Sequence, residues 1–354
     1  MSITKAKVSL DKIIDKARIH LYKPIQIAEI LYRDRINGDI DLEDLTTYRT
    51  KSKKWRDLIC IEFLGRTSTS SARYQDDVFN DSATPPSVLN ILGIENRTKN
   101  GIIEAYIYQK FSNRFSQMSS GLNYVYLNDR KTFNLEEFIS LFWANPGLRR
   151  SVDKIYEIIV YSLFSALVDA LEIAVEISIN SEKMDILSEF DDFAKRVIQI
   201  TPDQLSVKQK ARINRVGVTN AADRGLDMWA NFGLAIQIKH LSLTEELAEN
   251  IVSSVSADRI VIVCKDTEQK VIISILNQLG WKSKIQSIIT EKDLIDWYEK
   301  ALRGKFGDVV GEKVLMNLKQ EIQVEFPATD GDGLLDFMTG RGYVGLAEAD
   351  KVWK

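Results

Sequence analysis

The clearest chemical pattern in the sequence lies between Gly225 and Lys239. This stretch has the pattern of two short strands joined at Asn231-Phe232-Gly233, with Asp227 on the first strand and Gln237 and Lys239 on the second. Because alternate residues of a strand point the same way, Gln237 and Lys239 share a face, and pairing across the turn brings Asp227 beside them. The pattern therefore predicts an acid, an amide oxygen and an ammonium group at one place.

These three groups suit metal-assisted hydrolysis of a phosphodiester. That reaction needs a cation to stabilise the charge on the phosphate and a water made nucleophilic by a metal or a base. We expect Asp227 to ligate Mg²⁺, since an acid without a function is costly in its apolar strand, and Gln237 to add a neutral oxygen. Lys239 would orient the attacking water. The alternatives are a solvent-facing aspartate at a strand end and an edge-strand lysine that blocks aggregation.

A site of this kind needs another acid, and the sequence offers two. Glu157 lies in a long, largely apolar helix predicted over Val152–Ile173, and Asp223 lies just before the hairpin. Glu157 would support the metal or its water. Asp153, Glu157 and Tyr161 could equally form an i, i+4 stripe that faces solvent. The choice between Glu157 and Asp223 stays open at this level.

A basic segment in the N-terminal half is suited to binding DNA. It follows a helix predicted around Ile25–Arg33, which ends at Asn37-Gly38, and a short helix from Asp41 to Tyr48. Together they predict a helix-turn-helix-like unit. We assign five side chains of the segment to phosphate contacts, each of which would steepen the salt dependence of binding: Arg49, Lys51, Lys53, Lys54 and Arg56.

The loop Gly65–Gln75 follows directly and is rich in hydroxyl groups. Its polar side chains can bond base edges, and arginine can bond guanine in a bidentate way. We assign four residues to base edges: Arg66, Ser68, Arg73 and Gln75. The alternative is a capped surface loop before an acidic turn at Asp76-Asp77.

The chain of 354 residues is long enough for two domains. Residues 1-147 are predicted to be a helical DNA-recognition region, which ends at the break Asn145-Pro146-Gly147. Residues 148-354 are predicted to be a catalytic domain, because apolar strands at Arg259–Cys264 and Lys284–Ile289 alternate with helices. Such alternation indicates an α/β (α+β) domain with a covered mixed sheet.

Composition limits the remaining possibilities. Hydrophobic residues make up 45% and charged residues 27% of the chain, as in soluble globular proteins, and the net charge is −3, so attraction to nucleic acid has to be local. The two cysteines and two histidines form no metal-ligand pattern, which favours a hard cation bound by oxygen atoms. The sequence shows neither a membrane-spanning stretch nor a signal peptide, so a cytoplasmic location is expected.

The hairpin and the N-terminal half together resemble a known family. Asp227 with Gln237-Ile-Lys239 resembles the PD-(D/E)XK nuclease superfamily, in which an acid on one strand and an acid-x-lysine on the next bind the metals. The N-terminal half resembles the HaeII family of type II restriction endonucleases at Ile19–Arg33, Ser52–Arg56 and Phe63–Asp76. Gln237 departs from the usual acid and leaves the choice between one and two metal ions open.

The resemblance implies a fold, a substrate and partners. It implies a PD-(D/E)XK mixed-sheet core behind a helical DNA-binding region, Mg²⁺ as cofactor, and duplex DNA with a GCGC-centred palindrome such as RGCGCY as substrate. A palindromic target implies a homodimer in which each subunit reads one half. The enzyme would belong to a restriction-modification system, with a cognate DNA methyltransferase as a functional partner and not a physical one.

A function from another class also fits the basic segment. The chain could be a helix-turn-helix transcriptional regulator whose C-terminal half senses a ligand or dimerises. That reading leaves the convergence of Asp227, Gln237 and Lys239 on one hairpin without an explanation.

Overall fold

A computed structural model of the protein describes residues 2–17, 20–68, 70–145, 148–216, 226–255, 257–266, 284–326 and 331–346. The chain forms two compact units. Unit 1 comprises Met1–Ile155, Gly217–Ala221 and Lys319–Lys354, and unit 2 comprises Tyr156–Val216 and Ala222–Leu318. The predicted boundary lay between residues 147 and 148. In the structure the chain passes into unit 2 after Ile155, and its part from Lys319 onward belongs to unit 1.

Unit 1 is built from helices. Their bounds are α1 (Ile3–Lys16), α2 (Tyr22–Asn37), α3 (Lys51–Leu64), α4 (Ala72–Asp76), α5 (Pro86–Thr98), α6 (Ile102–Leu127) and α7 (Leu135–Ala144). The predicted end of α2 is confirmed, since Gly38 adopts a left-handed φ of 61° there, a conformation that glycine reaches without strain. Asn134 caps α7 by accepting the backbone N–H of Glu137. The prediction that this region is helical is therefore confirmed.

The C-terminal part of the chain joins unit 1 through buried ionic groups. Glu29 on α2 accepts hydrogen bonds from the Tyr108 hydroxyl at 2.5 Å and from Nη1 of Arg341 at 2.7 Å. The Tyr343 hydroxyl donates to Glu104 on α6 at 2.6 Å. Burial raises the pKa of Tyr108 well above its ordinary value, so the hydroxyl keeps its proton and remains a donor. These contacts explain why a segment so late in the sequence belongs to the N-terminal unit.

Unit 2 contains a mixed five-stranded sheet. Its strands, in spatial order, are β3 (Ile213–Arg215), β4 (Met228–Ala230), β5 (Leu234–Lys239), β6 (Arg259–Cys264) and β7 (Ile285–Thr290). The pairs β3–β4 and β4–β5 are antiparallel, whereas β5–β6 and β6–β7 are parallel. Helix α8 (Val152–Ala170) precedes the sheet in sequence, while α11 (Glu245–Ser254) and α12 (Glu291–Arg303) follow its parallel strands. The predicted mixed α/β architecture is thus confirmed, and it is compatible with a restriction-endonuclease-like fold.

Individual predictions for this unit also hold. The β4–β5 hairpin turns at Gly233, whose φ of 83° lies in the left-handed region that glycine adopts easily. Strand β6 has the predicted bounds Arg259–Cys264, and every residue after Arg259 is buried, as expected for a strand covered on both sides. The helix predicted at Glu268–Leu279 lies outside the described residues. Two further helices are described after α12: α13 (Gly307–Glu325) and α14 (Gly331–Gly340).

A second, two-stranded sheet lies in unit 2. Strand β1 (Ala174–Ser178) pairs antiparallel with β2 (Ser206–Lys210). Between them the chain forms α9 (Met184–Glu189), α10 (Asp191–Phe193) and a wide helical turn, Ala194–Ile198. The sequence pattern predicts an extended run at Ala174–Ile179 and a helical stretch at Ser181–Ile198, and both are confirmed, whereas it does not predict β2.

In the part of the chain that the structure describes, no helix is both long enough and apolar enough to cross a membrane.

Candidate functional site

The β4–β5 hairpin brings Asp227 and Gln237 into direct contact. Met228 pairs with Ile236 in the strand register, so Asp227 lies one step further along, beside Gln237. Oδ2 of Asp227 accepts a hydrogen bond from Nε2 of Gln237 at 2.5 Å and another from the backbone N–H of Ile238 at 2.7 Å. Gln237 is buried and Asp227 is half-buried. The pairing of these two side chains across the hairpin is as predicted.

Lys239 lies on the same side of β5 as Gln237. Alternation along the strand places Ala235, Gln237 and Lys239 on one side, and Ala235 packs there into a core formed with α11. Lys239 is half-buried at the C-terminal end of the strand. Lys239 therefore lies on the predicted side of the strand, two residues from the amide that contacts Asp227, and the convergence of its ammonium with Asp227 stays a prediction.

Glu157 is buried and does not face solvent. It lies on α8 at 6% exposure, which excludes the solvent-facing stripe considered from the sequence. Oε2 of Glu157 lies 3.8 Å from Nη1 of Arg215, the last residue of β3. Arg215 pairs with Met228 in the register of β3 and β4. Glu157 is therefore tied to the strand next to the hairpin through Arg215, a residue that the sequence analysis did not select.

The oxygen donors of the described site are few. Among the described residues, no group of three or more histidine, cysteine, aspartate or glutamate side chains could hold a metal ion. The hairpin supplies one carboxylate, Asp227, and one amide, Gln237. Mg²⁺ is commonly held by one or two carboxylates and completes its six positions with waters and substrate phosphates, so this donor set fits it. Asp223, the other candidate acid, lies outside the described residues.

Two of the predicted phosphate-binding residues share one acidic partner. Asp76, at the end of α4, lies 2.9 Å from Nη2 of Arg49 and 2.6 Å from Nζ of Lys53. Partial burial by itself raises the pKa of Asp76, but the hydrogen bonds from Lys53 and Arg49 outweigh it and the pKa lies below its ordinary value. Lys51 and Lys54 are exposed on α3. The basic segment therefore presents two exposed lysines beside two cations that share the single negative charge of Asp76.

Arg56 occupies a different environment from the other four basic residues. It is 1% exposed, and its guanidinium donates to Oδ1 of Asp57 at 2.6 Å and to the amide oxygens of Gln26 and Gln75 at 3.2 and 3.0 Å. Nε2 of Gln75 in turn donates to the carbonyl of Ser70 at 2.6 Å. The polar groups of both residues are thus engaged within the protein, where they fasten α3 to its neighbours.

The other three predicted base-contacting residues of the loop also differ in how far their polar groups are engaged within the protein. Nη2 of Arg66 lies 2.8 Å from Nε2 of His20 and donates to the carbonyl of Glu325, so this arginine is held between segments of unit 1. Ser68 is half-buried and accepts the backbone N–H of Ser70 at 3.4 Å. Arg73 is exposed on α4 and is the member of the set best placed to reach a ligand.

The predicted helix-turn-helix-like unit is wrong in its middle part, because the short helix expected from Asp41 to Tyr48 is only a three-residue turn. Helices α2 and α3 pack together, and Nε2 of Gln26 donates to the Ser52 hydroxyl at 2.9 Å between them. Residues 38–50 connect them and contain a short helical turn at Leu45–Thr47. That connection is longer than the three or four residues of a helix-turn-helix, so the pair is a helical unit with its own geometry.

Comparisons with known proteins identify the family of this chain. The family model of the HaeII restriction endonuclease matches residues 6–343. The type II restriction enzyme HaeII of Haemophilus aegyptius is 64% identical over 335 residues, which cover 95% of this chain and 94% of that protein. The type II restriction enzyme NgoBI of Neisseria gonorrhoeae is 59% identical over 340 residues, 96% of each chain. No solved structure matches the chain significantly. The protein therefore belongs to the HaeII restriction endonuclease family.

Proposed function

We propose that this restriction endonuclease is a type II, Mg²⁺-dependent enzyme that hydrolyses phosphodiester bonds of duplex DNA at a short palindrome. The observation that carries the proposal is the contact of Gln237 with Asp227 on a hairpin that also presents Lys239. Two relatives named type II restriction enzymes match nearly the whole chain, which supports the same class of activity. Membership in this family also favours a nuclease over the transcriptional regulator.

The metal would be held at the hairpin. Asp227 would provide the charged ligand and Gln237 a neutral oxygen, with Glu157 as support for the metal or its water. When bound, Mg²⁺ supplies charge neutralisation for the phosphate and lowers the pKa of a coordinated water. We place this hairpin in the PD-(D/E)XK class on the spacing of Asp227 and Gln237-Ile-Lys239.

The protein side chains have separate tasks in hydrolysis. The Ile238 N–H and Gln237 fix the carboxylate of Asp227 with two hydrogen bonds, so it is oriented before substrate binds. Lys239 would hold the attacking water and place a positive charge next to the phosphate oxygens. Because its position is set by a strand inside the sheet, the ammonium needs little reorganisation during the reaction.

DNA would be bound by the N-terminal unit. Lys51 and Lys54 are exposed and would contact phosphates directly, while Arg49 and Lys53 would do so by exchanging Asp76 for a phosphate. Arg73 would contact a base edge. We assign Arg56, Arg66 and Gln75 a positioning role, since their polar groups already bond other parts of the chain. Ser68 stays a candidate for base contact.

The finer specificity follows from the family resemblance. It supports a GCGC-centred palindrome such as RGCGCY, a homodimer that cuts both strands, and a restriction-modification system with a cognate methyltransferase. In a dimer with two-fold symmetry on a palindromic site, each subunit reads one half-site and cuts one strand.

Cleavage of plasmid DNA tests the proposal. Purified protein with Mg²⁺ should give discrete fragments that EDTA abolishes, and Asp227→Asn should give none while still retarding the same DNA fragment. Asp258→Asn is the matched control, because Asp258 is an exposed acid of the same unit. Normal cutting by Asp227→Asn, or cutting without any divalent cation, would refute the proposed mechanism.

A further inference from the structure

The side of the sheet that carries Asp227 also carries an exposed tryptophan. Asp227 and Trp229 are two residues apart on the hairpin, so strand alternation puts their side chains on one side. The register agrees, because Trp229 pairs with Ala235, Asp227 contacts Gln237, and Ala235 and Gln237 share a side of β5. The indole therefore follows the candidate metal-binding carboxylate by about 7 Å of strand.

Trp229 is the exposed member of a strand that is otherwise buried. It is 45% exposed, whereas Met228 and Ala230, on the other side of β4, are 0 and 3% exposed. Its neighbours across the sheet are Ala235 on β5 and Asn214 on β3, and beside these small side chains a large part of Trp229 stays in contact with solvent. An aromatic side chain removes about 150–250 Å² from water when it is buried, and Trp229 offers much of that area to a bound molecule.

A cation lies beside this indole at the start of β3. The pairing of β3 with β4 extends one step beyond the strands, where the backbone N–H of Asn231 donates to the Arg212 carbonyl at 3.1 Å. The side-chain oxygen of Asn231 accepts the Arg212 N–H at 2.9 Å. Arg212 is exposed, and alternation from Asn214 puts it on the same side of the sheet as Trp229. We call three residues of this side the edge strip: Arg212, Asn214 and Trp229.

The chemistry of the edge strip suits a strand of DNA. An arginine bonds phosphate oxygens, an aromatic ring packs against bases and sugars, and an amide bonds a phosphate or a base edge. The position of the strip also fits this ligand. Nucleotides of one strand follow each other by about 3.4 Å along the duplex axis, so Trp229 is about two nucleotides away from a phosphate that lies at Asp227.

We propose that the edge strip binds the DNA strand next to the scissile phosphate. Trp229 packs against the base and deoxyribose of a neighbouring nucleotide, Arg212 bonds a phosphate, and Asn214 adds a hydrogen bond. The strip thus gives unit 2 a DNA contact of its own, apart from the basic residues of unit 1. The proposal rests on the proposed function for its substrate and for the place of the reacting phosphate.

Tryptophan emission tests the contact without cleavage. The probe is a duplex that contains AGCGCT, with Ca²⁺ in place of Mg²⁺, and a dye on the DNA reports binding by anisotropy. Binding should quench the emission of the wild type, because a nucleobase packed on an indole quenches it, and Trp229→Phe should bind with most of the quenching lost. Trp297→Phe is the matched control, since Trp297 is an exposed tryptophan of the same unit, at 39%, on α12. Equal quenching in the wild type and Trp229→Phe, both saturated with DNA, would overturn the proposal.

The affinity for DNA gives a second measurement. Trp229→Ala should raise the Kd about 5–100-fold, the loss expected for one contact between an aromatic ring and a base. Its single-turnover rate at saturating DNA should change less than about threefold, because a contact made equally before and during the reaction affects binding alone. Circular dichroism establishes that the variant is folded. A folded variant with the wild-type Kd and a reduced saturating rate would mean that Trp229 supports the hairpin and does not bind DNA.

The salt dependence of binding tests the cation of the strip. Arg212→Ala should reduce the slope of log K against log salt by about 0.9, the contribution of one phosphate contact. Arg196→Ala is the matched control, because the side chain of Arg196 is also exposed in unit 2, at 77%, and should leave the slope unchanged. A slope that Arg212→Ala does not alter would contradict the phosphate contact.

The two proposals can fail separately. Quenching that Trp229→Phe abolishes, in a protein that cuts no DNA with Mg²⁺, would support the edge strip and count against the proposed catalysis. Cleavage with Mg²⁺, together with quenching that Trp229→Phe leaves intact, would count against the strip and leave the catalysis supported. A wild-type chain that binds no DNA would overturn both.

Discussion

Gln237 donates a hydrogen bond from Nε2 to Oδ2 of Asp227, with 2.5 Å between the two atoms. An acid is the residue that the resemblance to the PD-(D/E)XK superfamily leads one to expect at position 237. Two carboxylates in contact repel each other unless a cation lies between them, whereas an amide can donate a proton to the carboxylate. A side-chain hydrogen bond therefore joins the two strands of this hairpin in addition to their backbone pairing, and it needs no metal.

The first prediction concerns the exchange of this amide for an acid. Gln237→Glu should lower the free energy of unfolding in EDTA by about 1–3 kcal/mol, because a charge-assisted hydrogen bond becomes a repulsion. Saturating Mg²⁺ should restore most of that loss, since a second carboxylate binds the cation more tightly. Urea unfolding with and without Mg²⁺ measures both effects. Equal stability of this variant and the wild type in EDTA would argue against the contact.

The second prediction concerns the ammonium of Lys239. Lys239→Ala should reduce the single-turnover cleavage rate by about 10²–10⁴-fold, the range for loss of one catalytic group. Specific DNA binding, measured by fluorescence anisotropy in Ca²⁺, should change little. Lys265→Ala, a lysine just after β6, serves as the control. If Lys239→Ala cuts at the wild-type rate, the assignment of Lys239 is wrong.

The third prediction separates exposed lysines from the buried arginine. Lys54→Ala should reduce the slope of log K against log salt by about 0.9, the contribution of one phosphate contact on duplex DNA. Lys53→Ala should also reduce this slope, because we expect the Lys53 ammonium to leave Asp76 and contact a phosphate when DNA binds. Arg56→Ala should instead destabilise the fold by about 3–5 kcal/mol, since its buried network loses its cation. A slope unchanged by both lysine variants would contradict the phosphate assignment.

The fourth prediction is a pH dependence at Asp76. Its pKa in the folded protein lies below the ordinary value of 3.8, so its contribution to stability is present above about pH 4 and is lost as the pH falls through the folded pKa. Asp76→Asn should therefore remove part of the acid-induced loss of stability. Thermal melts from pH 3 to pH 6 measure this. Parallel curves for variant and wild type would show that the ion pairs with Arg49 and Lys53 contribute nothing.

The fifth prediction concerns the C-terminal segment. Arg341→Ala should lower the free energy of unfolding by about 3–5 kcal/mol, because it leaves the buried carboxylate of Glu29 without its cation. Arg341→Ala combined with Glu29→Gln should recover part of the loss, since no unpaired charge then remains. Denaturant unfolding of the three proteins gives the comparison. A single variant as stable as the wild type would mean that the segment is not fastened to unit 1 in this way.

Much of the fold could be predicted because its signals are local. The alternation of apolar residues gives β5 and β6, and the glycine at position 233 permits the left-handed turn that joins β4 to β5. Once the turn was located, the strand register followed, and with it the contact of Asp227 with Gln237. Some helix ends of unit 1 are likewise visible in the sequence, since Gly38 follows α2, Gly65 follows α3 and Asn134 caps α7.

The environments of the predicted DNA-binding residues could not be predicted from local signals in the sequence. Arg49, Lys53 and Arg56 look alike in the sequence, yet Asp76 pairs with the first two and Gln26 and Gln75 enclose the third. A side chain on α3 meets these partners only after α2 and α4 have packed against it. Burial and charge pairing are properties of that packing, and a count of basic residues cannot show them.

The sequence by itself determined the family, the mixed α/β class and the hairpin that carries Asp227, Gln237 and Lys239, because periodicity, turns and short motifs are encoded by neighbouring residues. Only the tertiary structure decided that the chain from Lys319 onward belongs to the N-terminal unit and that Glu157 pairs with Arg215. Each of these depends on groups far apart in the sequence. Their distances are set by how helices and strands pack, which no local pattern specifies.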